Sequence, residues 1–327
     1  MYRVAIIGAG QIAITHLEAL RHSSRSKAVA IADLVVERAQ QLGARFGMAA
    51  YSDYRTMVSE QKPDMVIITL PHFLHKEATI WCAEQGCHVM LEKPMAMDVD
   101  ECVEMNEAVR RHQVVLAVGH IQQFFAEQIE AKAIIASGAL GELVMVNDRR
   151  WSDYFKDNRP AWFLDKAKSG GGIVINLGSH SIDRIQWMTG QRIARVNARM
   201  TYHGRLGNVE GSAAIYMETE RGIPVQLSLF GYGGVNANET ELLFTKGCLR
   251  IRPKVELAIG KDGVYEPVVI PKEKAPFLAQ WDQFVDAVQF GKPLTISGEY
   301  GLSVMATVEA AYRSHETGRE QQVFIGG

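Results

Sequence analysis

The chain has 327 residues, too many for one typical core and suited to two domains, and 47% of them are hydrophobic, enough to fill both. A formal net charge of -2 with 22% charged residues gives no general attraction to nucleic acid or to an anionic membrane, so any partner must be argued from a site. No apolar run approaches the roughly 20 residues that span a bilayer, and no basic and apolar leader precedes the run Tyr2-Arg3-Val4-Ala5-Ile6-Ile7, so a soluble, cytoplasmic protein is expected. Cys82, Cys87, Cys102 and Cys248 form no C-x-x-C pair and no metal-type spacing, which reads as four thiols in a reducing compartment.

Val4 to Ile7 is a short apolar run, and Gly8-Ala9-Gly10-Gln11-Ile12-Ala13 follows it, a G-x-G-x-x-A between a strand and a helix. Gly8 permits the tight turn, Gly10 lets the backbone approach a pyrophosphate, and Ala13 keeps helix and sheet close. A helix beginning near Gln11 and Ile12 aims its free N–H groups and positive dipole end at phosphates. The bland alternative is a glycine turn with no ligand.

A second run, Ala28 to Ala32, ends in Asp33, where an acid accepts hydrogen bonds from an adenosine ribose and repels a 2′-phosphate. That argues for NAD, while Arg38 nearby keeps NADP open; Asp33 also reads as a helix N-cap. Further strands are expected at Met65 to Leu70, Cys87 to Leu91 and Val114 to Val118, with helices at Leu34 to Arg45, Tyr54 to Ser59, Phe73 to Gln85 and Val99 to Arg111. Strands alternating with helices imply a parallel sheet covered on both faces, a doubly wound dinucleotide domain over residues 1–119. Leu70, Pro71, His72 and His75 form a turn and helix start beside the cofactor; the two histidines lack the acidic or Cys partner a metal site needs, so no metal is expected. Glu92-Lys93-Pro94 places a lysine where a strand ends, at the sheet edge where ligands sit, or simply at a solvated strand end.

After Gly119 the pattern changes. A helix is expected at Phe124 to Ser137 and strands at Leu143 to Val146, Arg195 to Tyr202, Ser212 to Glu218, Pro224 to Phe230, Thr240 to Thr245, Cys248 to Arg252 and Val264 to Ile270, then helices at Phe277 to Phe290 and Tyr300 to Thr317. Short turns between consecutive strands imply antiparallel pairing, so residues 120–327 read as a second, α/β domain for substrate binding and oligomerisation. A large sheet with few helices leaves one face uncovered, and an exposed apolar face becomes an interface.

The fingerprint, Asp33, the His75 turn, Glu92-Lys93-Pro94 and the segment Gly170 to Asp183, in this order, resemble the glucose-fructose oxidoreductase, inositol dehydrogenase and MocA family over nearly the whole chain. The resemblance implies a Rossmann domain followed by an α/β domain with a large, mostly antiparallel open sheet, and homodimers or homotetramers through that sheet. It also implies hydride transfer between nicotinamide and a secondary alcohol or ketone of a sugar, cyclitol or sugar derivative. In the family a lysine and a histidine bracket the reacting hydroxyl, and Lys93 and His180 match those positions. Glu92 and Lys93 count also among the cofactor contacts, although strand alternation turns the Glu92 side chain away from Lys93. With an unperturbed pKa of about 6.5, histidine is the readier proton acceptor, and a lysine near 10.4 must first be shifted. His180 is therefore read as the base and Lys93 as the orienting donor, with the reverse left open.

Asn176 stands where many members carry an acid, four residues before the histidine; it keeps a hydrogen bond to a sugar hydroxyl but no charge. Asp183 either orients the imidazole or faces solvent. His120 and Gln122 follow the last Rossmann strand, and near Gln123 the family often has an arginine. Trp151, Tyr154 and Trp162 can stack on a sugar ring or pack under a loop, and Arg159 and Lys166 can meet an anionic substrate or solvent. Two alternatives are an NADPH-dependent reductase of a dicarbonyl sugar or other ketone, and a dinucleotide-binding sensor without catalysis.

Overall fold

The structure, a computed structural model, describes residues 1–204, 206–271 and 274–324. Two compact units divide the chain: Met1–Ile121 with Lys274–Leu302, and Gln122–Glu273 with Ser303–Gly327. Among the described residues no helix is long and apolar enough to cross a membrane.

The first unit alternates strand and helix: β1 Tyr2–Ile7, α1 Gln11–Leu20, β2 Ser26–Ala32, α2 Val36–Phe46, β3 Ala49–Tyr51, α3 Tyr54–Gln61, β4 Met65–Ile68, α4 His75–Glu84, β5 His88–Leu91, α5 Val99–Arg111 and β6 Leu116–Val118. The strands pair in parallel in the order β3-β2-β1-β4-β5-β6, so the winding reverses between β1 and β4, where ligands bind in such sheets. Helices on both faces leave no solvent side, which is why β4 is buried at every residue and shows no alternation. β3, short and largely exposed, carries too little apolar pattern to stand out in the sequence.

The chain continues through α6 Ala126–Ser137, β7 Leu143–Trp151, α7 Lys166–Ser169, α8 Ser179–Thr189, β8 Ile193–Thr201, β9 Ser212–Thr219, β10 Pro224–Phe230, β11 Ala237–Phe244, β12 Gly247–Arg252, β13 Glu256–Lys261 and β14 Val264–Pro267. It ends in α9 Pro276–Phe290, α10 Gly298–Thr317 and β15 Gln321–Gln322. The expectation put all of residues 120–327 together, whereas α9 packs on α1 in the first unit. Trp281 there donates its indole N–H to Ser26 Oγ at 3.0 Å, and Arg25 pairs with Asp282 at 3.0 Å and with Asp286. An apolar stripe shows that a helix is covered, not by which domain.

The second unit is a nine-stranded sheet in the order β14-β13-β12-β11-β7-β10-β9-β8-β15, antiparallel except for the parallel pair β7 and β10. β13 was not expected. Asp262 and Gly263 both take positive φ, 51° and 82°, the turn that closes a tight hairpin, and that dipeptide was the missed signal. Alternate residues such as Val146, Val196, Ile215 and Leu227 are buried on one face, where α6 and α8 pack. The opposite face carries Asn147, Arg149, Asn197, Gln226 and Ser228, with Tyr216 among its few large apolar groups. The expectation of an exposed apolar face is therefore corrected: the pleat turns its polar half outward.

Candidate active site

The first unit builds a dinucleotide cradle. Gly8 sits at φ +102°, and a Cβ there would lie 2.8 Å from Thr69 Oγ1, so only glycine fits. A Cβ on Gly10 would meet nothing within 4 Å, which leaves open backbone for a ligand. No side chain caps α1, so the N–H groups of its first turn, including Gln11 and Ile12, remain donors, and Ala13 is fully buried against the sheet. Asp33 ties the cradle together: its carboxylate accepts from Ala9 N at 2.7 Å and from Val35 N at 2.8 Å. Those bonds turn the chain before α2, which starts at Val36 rather than Leu34, and the carboxylate keeps lone pairs for a ribose diol. Beside it lies a cavity of about 160 Å³ lined by Asp33, Leu34, Tyr54, Leu70, Leu74 and Ala78. Largely apolar walls, with Asp33, Asp53 and the Arg55–Glu77 ion pair also on the lining, fit an adenosine. Arg38 is exposed and does not line this cavity.

The Lys93 turn is held from two sides. Lys93 lies two residues past the end of β5, half-buried, and its bond to Pro94 is cis. Pro94 O lies 2.9 Å from His75 Nδ1, whose Nε2 lies 2.8 Å from Leu70 O, so this buried histidine ties the turn after β4 to the turn after β5. Burial lowers the His75 pKa against the pull of those carbonyls. His72 is buried beside it, with ring centroids 5.8 Å apart. Glu92 does turn into the fold, as alternation requires, and its carboxylate meets His16 Nε2 at 2.8 Å and accepts from Lys93 N at 3.2 Å. Burial would raise the Glu92 pKa, but the His16 hydrogen bond and the charges of His16 and Lys93 outweigh it and hold the carboxyl below its ordinary value. Sequence reading missed His16; its only signal was a polar residue on the buried face of α1 with Ala13, Leu17 and Leu20. His120 is buried after β6, edge-on to Tyr300 at 5.5 Å.

In the second unit, Asn176 lies in a π-helical turn, Val174–Gly178, that runs into α8, which carries His180 as its second residue. Such turns are frequent at functional sites. Glu210 fixes the start of this segment: its carboxylate accepts from Gly172 N at 2.8 Å, Val174 N at 2.9 Å and Tyr312 OH at 2.8 Å. Burial raises its pKa, with these donors in part opposing. A Cβ on Gly171 would lie 1.9 Å from Tyr312 Oη and one on Gly172 2.2 Å from Glu210 O, which explains the glycine run. Asn176 Nδ2 donates to the hydroxyl of buried Tyr154 at 3.3 Å, and Arg159 lies 4.0 Å above the Tyr154 ring.

Asp183 does not face solvent; it is fully buried and accepts from Gln123 Nε2 at 2.8 Å. Gln122 Oε1 serves Arg184 at 3.2 Å and Gln128 at 3.1 Å, so that oxygen is engaged within the fold. Trp151 donates to Ser228 Oγ at 3.1 Å on the outward face of the sheet, and Trp162 stacks on Phe163 at 3.7 Å. The structure thus groups Asn176, Tyr154 and Arg159 with the His180 segment, and turns the Trp151 indole N–H to Ser228 on the outward face, while Trp151 also borders the cavity that Leu177 lines.

Residues 2–120 match the model of the GFO/IDH/MocA oxidoreductase family, NAD-binding Rossmann fold, and residues 129–250 match the GFO/IDH/MocA C-terminal domain. The chain belongs to the GFO/IDH/MocA family. As a member of that family it is an NAD-binding oxidoreductase, and the cradle described above fits that cofactor. The D-glucoside 3-dehydrogenase of Escherichia coli (strain K12) is 29% identical, with 97% of this chain and 96% of that protein covered. An inositol 2-dehydrogenase/D-chiro-inositol 3-dehydrogenase of Lactiplantibacillus plantarum is 24% identical over 98% of this chain and 93% of its own. Among solved structures, the aldose-aldose oxidoreductase from Caulobacter crescentus superposes with a TM-score of 0.91 at 26% identity, over 98% of this chain and 99% of the other.

Proposed function

We propose that this GFO/IDH/MocA oxidoreductase interconverts a secondary alcohol and a ketone on a sugar, cyclitol or sugar derivative, with Lys93 and His180 serving the reacting hydroxyl. The observation that carries the reading is the held Lys93 turn at the carboxyl edge of a parallel sheet that also bears a dinucleotide cradle. Bound NAD supplies the hydride acceptor, and everything else falls to the chain. The His16–Glu92 pair and His75 fix the backbone from which the Lys93 ammonium reaches the substrate oxygen, where it orients and polarises the hydroxyl. His180 takes the proton, because an imidazole exchanges protons at neutral pH without a large shift. Asn176, steadied by Tyr154, donates or accepts at a neighbouring hydroxyl. Asp33 and Asp53 beside the adenosine cavity, with Glu77 neutralised by Arg55, favour NAD over NADP.

NADH formation from NAD with a panel of aldoses, glycosides and inositols tests the reading; no turnover with any of them, in either direction, defeats it. The polar outward face of the nine-stranded sheet, with the arginines and acids that line it, is proposed as the surface joining identical copies into a dimer or tetramer. Sedimentation at micromolar concentration then shows an oligomer, and a monomer alone rejects it. The cell's cytoplasm, where NAD is abundant and the free thiols of Cys82, Cys87, Cys102 and Cys248 stay reduced, is the proposed location.

A further inference from the structure

Arg150 and Arg184 lie on the same buried side of the second unit, and their surroundings differ. Arg184 is the better engaged of the two: Asp148 Oδ2 lies 2.6 Å from Nη2, and Nη1 donates to Asn238 Oδ1 at 3.0 Å and Gln122 Oε1 at 3.2 Å, which leaves only its buried Nε without a partner among the described residues. Asp148 Oδ2 also accepts from Thr240 Oγ1 at 2.6 Å, while its buried Oδ1 meets no hydrogen-bond donor among the described residues, so a single acid faces two arginines and leaves one positive charge over. Arg150, two residues on and therefore on the same side of β7, has a buried Nη1 that no partner reaches among the described residues. Burial, with repulsion from Arg184, lowers its pKa to about 10, and Asp148 opposes this only in part. Buried polar groups are nearly always hydrogen-bonded, and an exception calls for a reason.

The reason lies in the cavity that Arg150 lines. It has a volume of about 540 Å³ and is shared with Leu177, Asn236, Asn238 and Pro253. Small-molecule sites span roughly 300–1,000 Å³. Leu177 follows Asn176 in the π-helical turn, so the cavity adjoins the segment that leads to His180. The other arginines on its wall have acids: Glu239 meets Arg149 and Arg252 at 2.5 Å each, and Glu256 meets Arg252 at 3.4 Å. Arg150 does not. Asn238, whose amide oxygen accepts from Arg184, lines the same cavity.

We propose that Arg150 anchors a carboxylate of the substrate, which makes the preferred substrate a sugar acid such as a uronate. This rests on the reading of the chain as a sugar oxidoreductase. A planar guanidinium matches a carboxylate with two parallel bonds, and one unmet positive charge balances a monoanion better than a phosphate dianion.

The test uses the full chain loaded with NAD and matched pairs, D-glucuronate with D-glucose and D-galacturonate with D-galactose, measured by calorimetric binding and by NADH formation. Wild type is expected to bind at least one uronate about 10-fold or more tighter than its neutral partner, as a charge-assisted hydrogen bond provides. Arg150→Gln loses on the order of 10- to 100-fold in kcat/KM on that uronate, mainly through KM, and less than about threefold on the neutral sugar; Arg150→Lys falls between, with NAD affinity equal in all three. Uronates bound no better than neutral sugars, or Arg150→Gln weakening both alike, overturn the inference. If neutral sugars react and uronates do not bind, the anion site fails while the oxidoreductase reading stands. If no sugar reacts, yet uronate binding needs Arg150, the reverse holds.

Discussion

Around Lys93 the polar groups answer one another within the first unit, whereas around the His180 segment several arginines keep a buried nitrogen without a partner among the described residues. Glu92 has His16 and the backbone N–H of Lys93, and His75 spans two carbonyls. In the second unit Arg150 Nη1, Arg159 Nε and Arg184 Nε are buried without hydrogen-bond partners among the described residues, although the Arg159 guanidinium lies over Tyr154 and Phe163 and the other Arg184 nitrogens are engaged. The difference teaches where a fixed task ends and a variable one begins. Under the proposed function, a turn that serves one cofactor is completed by the protein itself, while groups assigned to the substrate are left for the substrate to complete.

The sharpest break of that contrast is removal of the proposed proton acceptor. His180→Ala should lower kcat by roughly 10²- to 10⁴-fold with NAD affinity unchanged, measured by steady-state kinetics and NAD titration. Next comes the frame of the same segment: Glu210→Ala leaves Gly172 N, Val174 N and Tyr312 OH without their acceptor and should cost about 1–3 kcal/mol in denaturant unfolding, lowering kcat while sparing NAD binding. An equal loss of NAD affinity would show that the two regions are not separable in this way. On the cofactor side, Asp33→Ala should weaken NAD roughly 10-fold by calorimetry and narrow the preference over NADP, without selective loss on any sugar.

The smallest effect concerns pH. The Glu92 carboxyl lies below its ordinary value in the fold, so its contribution is present above the unfolded carboxylate pKa of about 4.3 and is lost as pH falls through the lower folded value. The melting-temperature gap between wild type and Glu92→Gln should accordingly be largest near neutral pH and close in acid. A gap that widens in acid contradicts the assignment of His16 and Lys93 as the groups that stabilise the charged form.

Much of this was legible in the chain itself. The glycine turn, Asp33 and the strand end at Lys93 were readable because each depends on local backbone chemistry at fixed spacing. What depends on long-range packing was not. His16 and Glu92 are 76 residues apart, Glu210 and Tyr312 are 102, and no periodicity announces such pairs. Asp183 was read as open to solvent or to the imidazole because helix spacing shows direction and not depth, and its Gln123 partner lies 60 residues away. The outward face of the large sheet was misjudged because a count of strands and helices says which face is uncovered, not which residues occupy it. β13 was the avoidable miss, since Asp262-Gly263 is a local signal.

The account's central claim is that Lys93 and His180 act on one hydroxyl while the cofactor cradle works independently of both. Single-turnover reduction of bound NAD, with any substrate the panel identifies, tests it most directly in wild type, Lys93→Ala, His180→Ala and the double variant. The prediction is a rapid NADH signal in wild type, a hydride step slowed at least about 100-fold in each single variant, a double-variant loss far smaller than the product of the two, and NAD affinity unchanged throughout. Wild-type hydride transfer rates in either single variant, or losses that multiply, would contradict it.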